Sequence, residues 1–145
     1  MLVIGVGSEL RRDDAAGRRV AGAIAEHGLD DVEVCSVHQL TPELALDLDA
    51  RALVVFVDAA VDVDDLVVRE LPGGVGGAGG SHHMGPPELL ALAACLGWAP
   101  ERAVVVHIPV VDLALGTELS PATRREVERA VTAVIDLLRA LPPSR

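Results

Sequence analysis

The chain has 145 residues, with 22 acidic side chains against 12 basic ones and a formal net charge of −10 at pH 7. Half of its residues are apolar, yet only two are aromatic, Phe56 and Trp98, and every cation is an arginine. That length predicts one domain spanning residues 1–145, large enough to bury roughly two-thirds of its unfolded surface. The acidity argues against nucleic acid, whose phosphates require a basic patch; the arginine pairs at 11–12, 18–19 and 124–125 are too dispersed to form one. No apolar run reaches the ~18 residues of a membrane helix, and residues 1–10 carry neither the basic start nor the cleavage site of a secretory signal, which points to the cytoplasm. Cys35 and Cys95 lie far apart and outside any CxxC, so they read as ordinary buried thiols rather than a disulfide or a zinc knuckle.

Leu2-Val3-Ile4-Gly5-Val6-Gly7 opens the chain as a short apolar run, rich in β-branched residues, that ends in glycine. This is the pattern of a strand buried on both faces. Ala16, Val20, Ala23 and Ile24 then recur at helical spacing. Similar strand runs stand at 32–37, 52–57 and 103–108. Between the second and third runs, Thr41 and Pro42 start a helical turn whose leucines, Leu44, Leu46 and Leu48, are less cleanly spaced. Residues 66–71 are a candidate edge strand. Pro72 leads into Gly73-Gly74-Val75-Gly76-Gly77-Ala78-Gly79-Gly80, six glycines in eight residues, where a mobile loop is expected because no regular element tolerates that composition. Leu89, Leu90, Leu92, Ala93 and Leu96 form a helical face ended by Gly97. The last helix begins with Ser120 as N-cap and Pro121 at its first position. It carries Val127, Ala130, Val131, Val134, Leu137, Leu138 and Leu141 on one side, and Pro142-Pro143 stops it. Buried strands alternating with helices predict an α/β fold, a three-layer α/β/α sandwich around a mostly parallel, about five-stranded twisted sheet.

In such sheets ligands bind beyond the carboxyl ends of the strands, where loops and helix N-termini converge. After the first strand comes Gly5-Val6-Gly7-Ser8-Glu9-Leu10-Arg11-Arg12-Asp13-Asp14-Ala15-Ala16-Gly17. A dinucleotide fingerprint requires a third glycine where Leu10 stands, and two carboxylates at the next helix start repel a pyrophosphate. One aspartate suffices to cap that helix, which leaves the other to face the crevice. Asp58 follows Val54-Val55-Phe56-Val57, and a charge at that depth needs a cation, a set of donors or a metal; the bland alternative is a cap on the next turn. Ser81-His82-His83 precedes a helix start and presents an imidazole to the same edge. His38 stands just past the second strand, either lining that cleft or simply following its strand, whereas His27 and His107 read as structural. Two carboxylates and one imidazole with open coordination positions suit a borderline divalent ion such as nickel, zinc, manganese or iron better than calcium. No GxSxG and no HExxH is present, which removes the corresponding hydrolase classes.

These motifs, in this order, resemble the [NiFe]-hydrogenase maturation endopeptidases, which trim the C-terminal extension from a hydrogenase large-subunit precursor. That family opens with a strand and GxGNxLxxDDGxGxxV, or a DEAxG variant, and residues Gly5 to Val20 keep its register, with Ser8 in place of the asparagine and Ala15 in place of a glycine. A strand ending in Asp-Ala is matched by Asp58-Ala59, and a Ser/Thr-His segment before a leucine-containing helix by Ser81-His82 through Leu89-Leu90. A softer match is Ile108-Pro109 followed by Gly116-Thr117-Glu118-Leu119. His38-Gln39-Leu40-Thr41-Pro42 stands where the family has a glycine-rich turn, which suggests a subgroup with its own substrate. The resemblance implies that Asp14, Asp58 and His82 are the catalytic and metal-binding residues, with His83 one residue of register away as the alternative ligand. It implies a nickel-dependent peptidase whose partner is the large-subunit precursor and whose nickel is supplied by that substrate, zinc or cadmium being able to substitute in an isolated structure. The reading from a different class is a non-catalytic module that binds a metallated protein or a small ligand; a third is an unrelated hydrolase or nucleotide-binding domain of similar fold.

Overall fold

Apolar strands without polar alternation must be covered on both faces, and the structure, a computed structural model describing residues 1–73 and 83–141, covers them with helices. The strands are β1 (Leu2–Val6), β2 (Glu33–Val37), β3 (Val54–Ala60), β4 (Val67–Leu71) and β5 (Ala103–Pro109). The α-helices are α1 (Ala16–His27), α2 (Pro86–Cys95) and α3 (Pro121–Arg139), and two 3-10 segments occupy Arg12–Ala15 and Pro42–Leu48. All five strands form one sheet in the order β2-β1-β3-β5-β4, parallel except for antiparallel β4. The expected α/β/α architecture is present. No helix among the described residues is long and apolar enough to cross a membrane.

Strand alternation divides the interior into two cores. Val3, Val55, Val57, Val104, Val106 and Ile108 pack against Val20 and Ile24 of α1 and against Ala130, Val134 and Leu138 of α3. Leu2, Ile4, Val54, Phe56 and Val105 face the other way, toward Leu89, Leu90 and Ala93 of α2 and Leu44 and Leu48 of the second 3-10 segment. Each such fully enclosed side chain stabilises the fold by about 2 kcal/mol relative to exposure. On α3 the Ser120 hydroxyl accepts the Thr123 amide as the expected cap, with Pro121 beginning the helix.

Several local expectations are corrected. Strand β2 is not buried on both faces: it is an edge strand flanked only by β1, and Glu33 and Ser36 are exposed. The leucines after Pro42 form a 3-10 segment rather than an α-helix, because a spacing of two turns Leu46 outward while Leu44 and Leu48 stay buried. Thr41 makes no side-chain cap there. Cys95 is exposed and Cys35 is only half-buried, so neither is a core thiol; both are free. Strand β3 runs three residues past Val57, because β5 continues beside it in the register Asp58 to His107, Ala59 to Ile108 and Ala60 to Pro109. The glycine run from 74 to 80, Ser81, His82 and the terminal prolines lie outside the described residues.

Candidate active site at the carboxyl ends of β1 and β3

Chain direction creates the crevice. From β1 the chain passes through α1 to β2 on one side, whereas from β3 it proceeds to β4 and β5 on the other. The connections diverge between the neighbours β1 and β3, the topological switch point at which open α/β sheets bind ligands. The glycines of the first motif draw the backbone together there. A Cβ on Gly17 would lie 2.3 Å from the Val57 carbonyl oxygen and 2.6 Å from that of Val6, so only glycine lets α1 begin directly against both strand ends. Gly7, at φ +143°, would place a Cβ 1.9 Å from the Asp14 carbonyl oxygen. These glycines seat backbone on backbone.

The two adjacent aspartates divide their work, though not as cap and ligand. Asp13 is fully buried and accepts four hydrogen bonds, from the Ser120 amide (2.7 Å) and hydroxyl (2.9 Å), the Asp112 amide (3.0 Å) and the Val111 amide (3.2 Å). Burial pushes its carboxyl up, but the donors, led by the Ser120 amide, outweigh this and hold it below the ordinary range. Neither the Arg12–Ala15 turn nor α1 has a side-chain cap, so Asp13 ties the first loop to the segment between β5 and α3 instead. Asp14 is half-buried, and its Oδ2 accepts the Ser8 amide at 2.8 Å. The Ser8 hydroxyl turns back to accept the Leu10 amide at 3.3 Å, within its own loop.

Asp58 lies inside β3 rather than after it, which removes the reading of a cap on the next turn. Strand alternation puts it on the α2 face with Phe56, one residue beyond the last register pair with β1, Gly5 to Val57. Burial pushes its carboxyl up to about 7; the backbone bond from Ala59 acts in the opposite sense, and the nearby charge of Asp14 raises it further. Among the described residues no cation forms an ion pair with Asp14 or Asp58. Two carboxyls that feel one another at a switch point, one of them carrying a proton near neutrality, are equipped to take up a cation or to hold and release a proton.

The histidines separate. His82 lies outside the described residues. His83 lines a groove of about 550 Å³ with Gln39, Leu40, Thr41, Pro42, Met84 and Glu88, formed by the loop after β2 and the entry to α2. This groove lies on the α2 side and does not include Asp14 or Asp58 among its walls. His38 is exposed, and the four residues after it, rather than His38 itself, line that groove. His107 is the cross-strand neighbour of Asp58 on the same face; burial, then the charge of Arg69, lower its pKa, against the opposing charge of Asp62. His27 donates to the Ala23 carbonyl at 2.8 Å, a local helix contact. Among the described residues no three His, Cys, Asp or Glu side chains gather as a metal-binding set. The role of Asp13 was invisible in the sequence, because its donors arrive from about a hundred residues away.

No family model matches the chain and no curated protein matches it. Solved structures do. The hydrogenase maturating endopeptidase HybD from E. coli superposes with a TM-score of 0.71 at 21% identity, covering 96% of this chain and 91% of that one. A hydrogenase 2 maturation peptidase from a Thaumarchaeota archaeon gives 0.70 at 24% identity, covering 94% and 96%. The [NiFe] hydrogenase maturation protease HycI from Thermococcus kodakarensis gives 0.75 at 20% identity, covering 95% and 91%. The fold is therefore that of the hydrogenase maturation endopeptidases.

Proposed function

We propose that this protein is a nickel-dependent endopeptidase that removes the C-terminal extension of a [NiFe]-hydrogenase large-subunit precursor during maturation. One observation carries the reading: Asp14 and Asp58, on the two motifs that resemble this family, converge at the switch point of a fold shared with solved maturation endopeptidases. Nickel enters the scheme as cargo, already held by the precursor. The donor chemistry fits it, since two carboxyls with no partner cation among the described residues, together with a histidine, suit a borderline divalent ion. When bound, the metal supplies a Lewis acid and an anchoring point for the precursor.

The chain's own residues do the remaining work. The Ser8 amide fixes Asp14 through one oxygen and leaves the other for the incoming group. Asp58 gives up its proton as it becomes a ligand, so an empty site is spared a buried charge and a loaded one gains it. His82, or His83 one residue later, completes the set. Recognition of the loaded metal then orients the scissile peptide, and a precursor without nickel is not positioned for cleavage. The experiment is incubation of nickel-loaded and nickel-free precursor with the protein, read by intact mass. His82→Ala and His83→Ala compared side by side identify the ligand: the variant that loses processing while keeping its melting temperature carries the metal-binding imidazole. Processing unaffected by either substitution would remove histidine from the scheme.

A further inference from the structure

We infer that the apolar rim formed by Leu10, Val111, Leu113 and Leu115 is the surface on which the folded body of the precursor docks, while its tail enters the crevice. This rests on the maturation reading above and adds the partner surface to it. Among the described residues, eight large hydrophobic side chains are exposed, and these four come from just two loops, after β1 and after β5. Leu115 is 81% exposed, Val111 76%, Leu10 67% and Leu113 37%. Exposed apolar groups gathered on two loops that are bonded to each other, on an otherwise acidic chain, mark an interaction site more often than a defect.

The exposure is built in. The two loops are bonded backbone to backbone: the Gly116 amide donates to the Leu10 carbonyl (3.0 Å), the Arg12 amide to the Gly116 carbonyl (3.1 Å) and the Asp13 amide to the Asp112 carbonyl (3.0 Å). Arg12 adds an ion pair to Asp112 at 2.9 Å and a hydrogen bond to the Glu118 carbonyl at 3.1 Å. Buried Asp13 receives the amides of Val111, Asp112 and Ser120 from the same segment. A loop fastened at this many points holds its apolar side chains in water because its backbone cannot turn them inward. The same frame holds Asp14, the next residue after Asp13, so the rim and the candidate site form one rigid unit. A partner seated on the rim is placed in register with the carboxyls.

Position and charge select the occupant. The rim stands on the loops after β1 and β5 at the carboxyl edge of the sheet, whereas the groove of Gln39, Thr41, His83 and Glu88 lies on the α2 side, the face on which strand alternation puts Asp58. One surface is apolar and fastened, the other concave with several polar walls, which suits a folded body on one and an extended tail in the other. A second copy of this chain is the poorer occupant, because two molecules of net charge −10 repel. The rim has polar flanks, Arg11 and Glu118 among them, the arrangement of an apolar centre within a polar border that protein interfaces use.

The test is the double variant Leu10→Asp and Leu115→Asp, measured for binding to a nickel-loaded [NiFe]-hydrogenase large-subunit precursor encoded by the same genome, and for processing of it. Asp58→Asn is the comparison that separates docking from chemistry. The expected result is a double variant whose melting temperature stays within about 2 °C of the parent, since both side chains are exposed. Its precursor binding weakens at least about tenfold, and its processing is lost through KM rather than kcat. Asp58→Asn loses the processing, while its binding of nickel-free precursor, which the carboxyls do not anchor, matches the parent's. Parental precursor affinity in the double variant overturns the docking inference while leaving the maturation reading intact, as does sedimentation of the parent as a dimer that the double variant dissolves with precursor affinity unchanged. A parent that neither binds nor cleaves the precursor overturns the maturation reading and this inference with it.

Discussion

Between the ordinary carboxyl value of 3.8 and the value of about 7 to which burial and the neighbouring Asp14 raise it, Asp58 holds a proton in the folded chain that the unfolded chain has released. The folded state binds more protons over that interval, so this residue makes stability fall as pH rises, and the full penalty is present above about 7. Asp58→Asn therefore stabilises the fold at pH 8, by about 2 kcal/mol once partial solvent exposure is allowed for, and has little effect near pH 4. Thermal melts of both proteins at the two pH values check this, with precursor processing abolished in the variant; equal melts at pH 8 would contradict it. Asp13 behaves oppositely. Its donors hold its carboxyl below the ordinary range, so its contribution is present above the unfolded value and is lost as pH falls through the folded one. Asp13→Ala leaves the buried Ser120 amide and the part-buried Val111 and Asp112 amides without their acceptor and costs about 3 kcal/mol, read by denaturant titration at neutral pH.

At the scale of elements, Gly17 governs the distance between α1 and the ends of β1 and β3. Gly17→Ala forces a methyl against two carbonyl oxygens, costs about 2–3 kcal/mol, and moves the start of α1 together with the 3-10 turn before it that carries Asp14. Processing by this variant falls more steeply than its stability predicts, because the carboxyls must stay within reach of one another. The helix start at Pro121, the apolar face of α2, the buried strands β1, β3 and β5 and the position of β4 were legible from residue type and spacing, since those signals are local. What was illegible depended on partners distant in sequence. The length of β3 is set by β5, so Asp58 lies within a strand that the apolar run alone ends at Val57. Strand β2 has an apolar pattern, but its place at the sheet edge follows from chain order in space. Thr123 and Ile135 are buried on α3 although the apolar stripe omits them: Thr123 sits against the Ser120 cap that is itself bonded to Asp13, and Ile135 joins the core shared by α1 and α3. Asp58 stood out because a carboxylate directly after an apolar run is anomalous on its own, whereas the residues alone left Asp13 and Asp14 equivalent and only the resemblance to the maturation endopeptidases singled out Asp14.

For the whole molecule, the excess of acid has less to do with the site than its total suggests. Asp13 faces inward to amides and Asp65 pairs with Arg129 at 2.9 Å, while Asp14 and Asp58 at the switch point form no ion pair among the described residues. The rest is solvated charge. The molecule therefore divides into an apolar rim on the loops after β1 and β5, two carboxyls at the switch point, and a groove on the α2 side. Under the proposed function, docking, metal recognition and tail binding fall to separate surfaces of one edge. The most direct test of the central claim is the intact mass of a [NiFe]-hydrogenase large-subunit precursor after incubation with this protein. The account predicts release of a single C-terminal fragment from nickel-loaded precursor, none from nickel-free precursor, and none with Asp14→Asn or Asp58→Asn. Release of that fragment by both variants, or no release from loaded precursor by the parent, would contradict it.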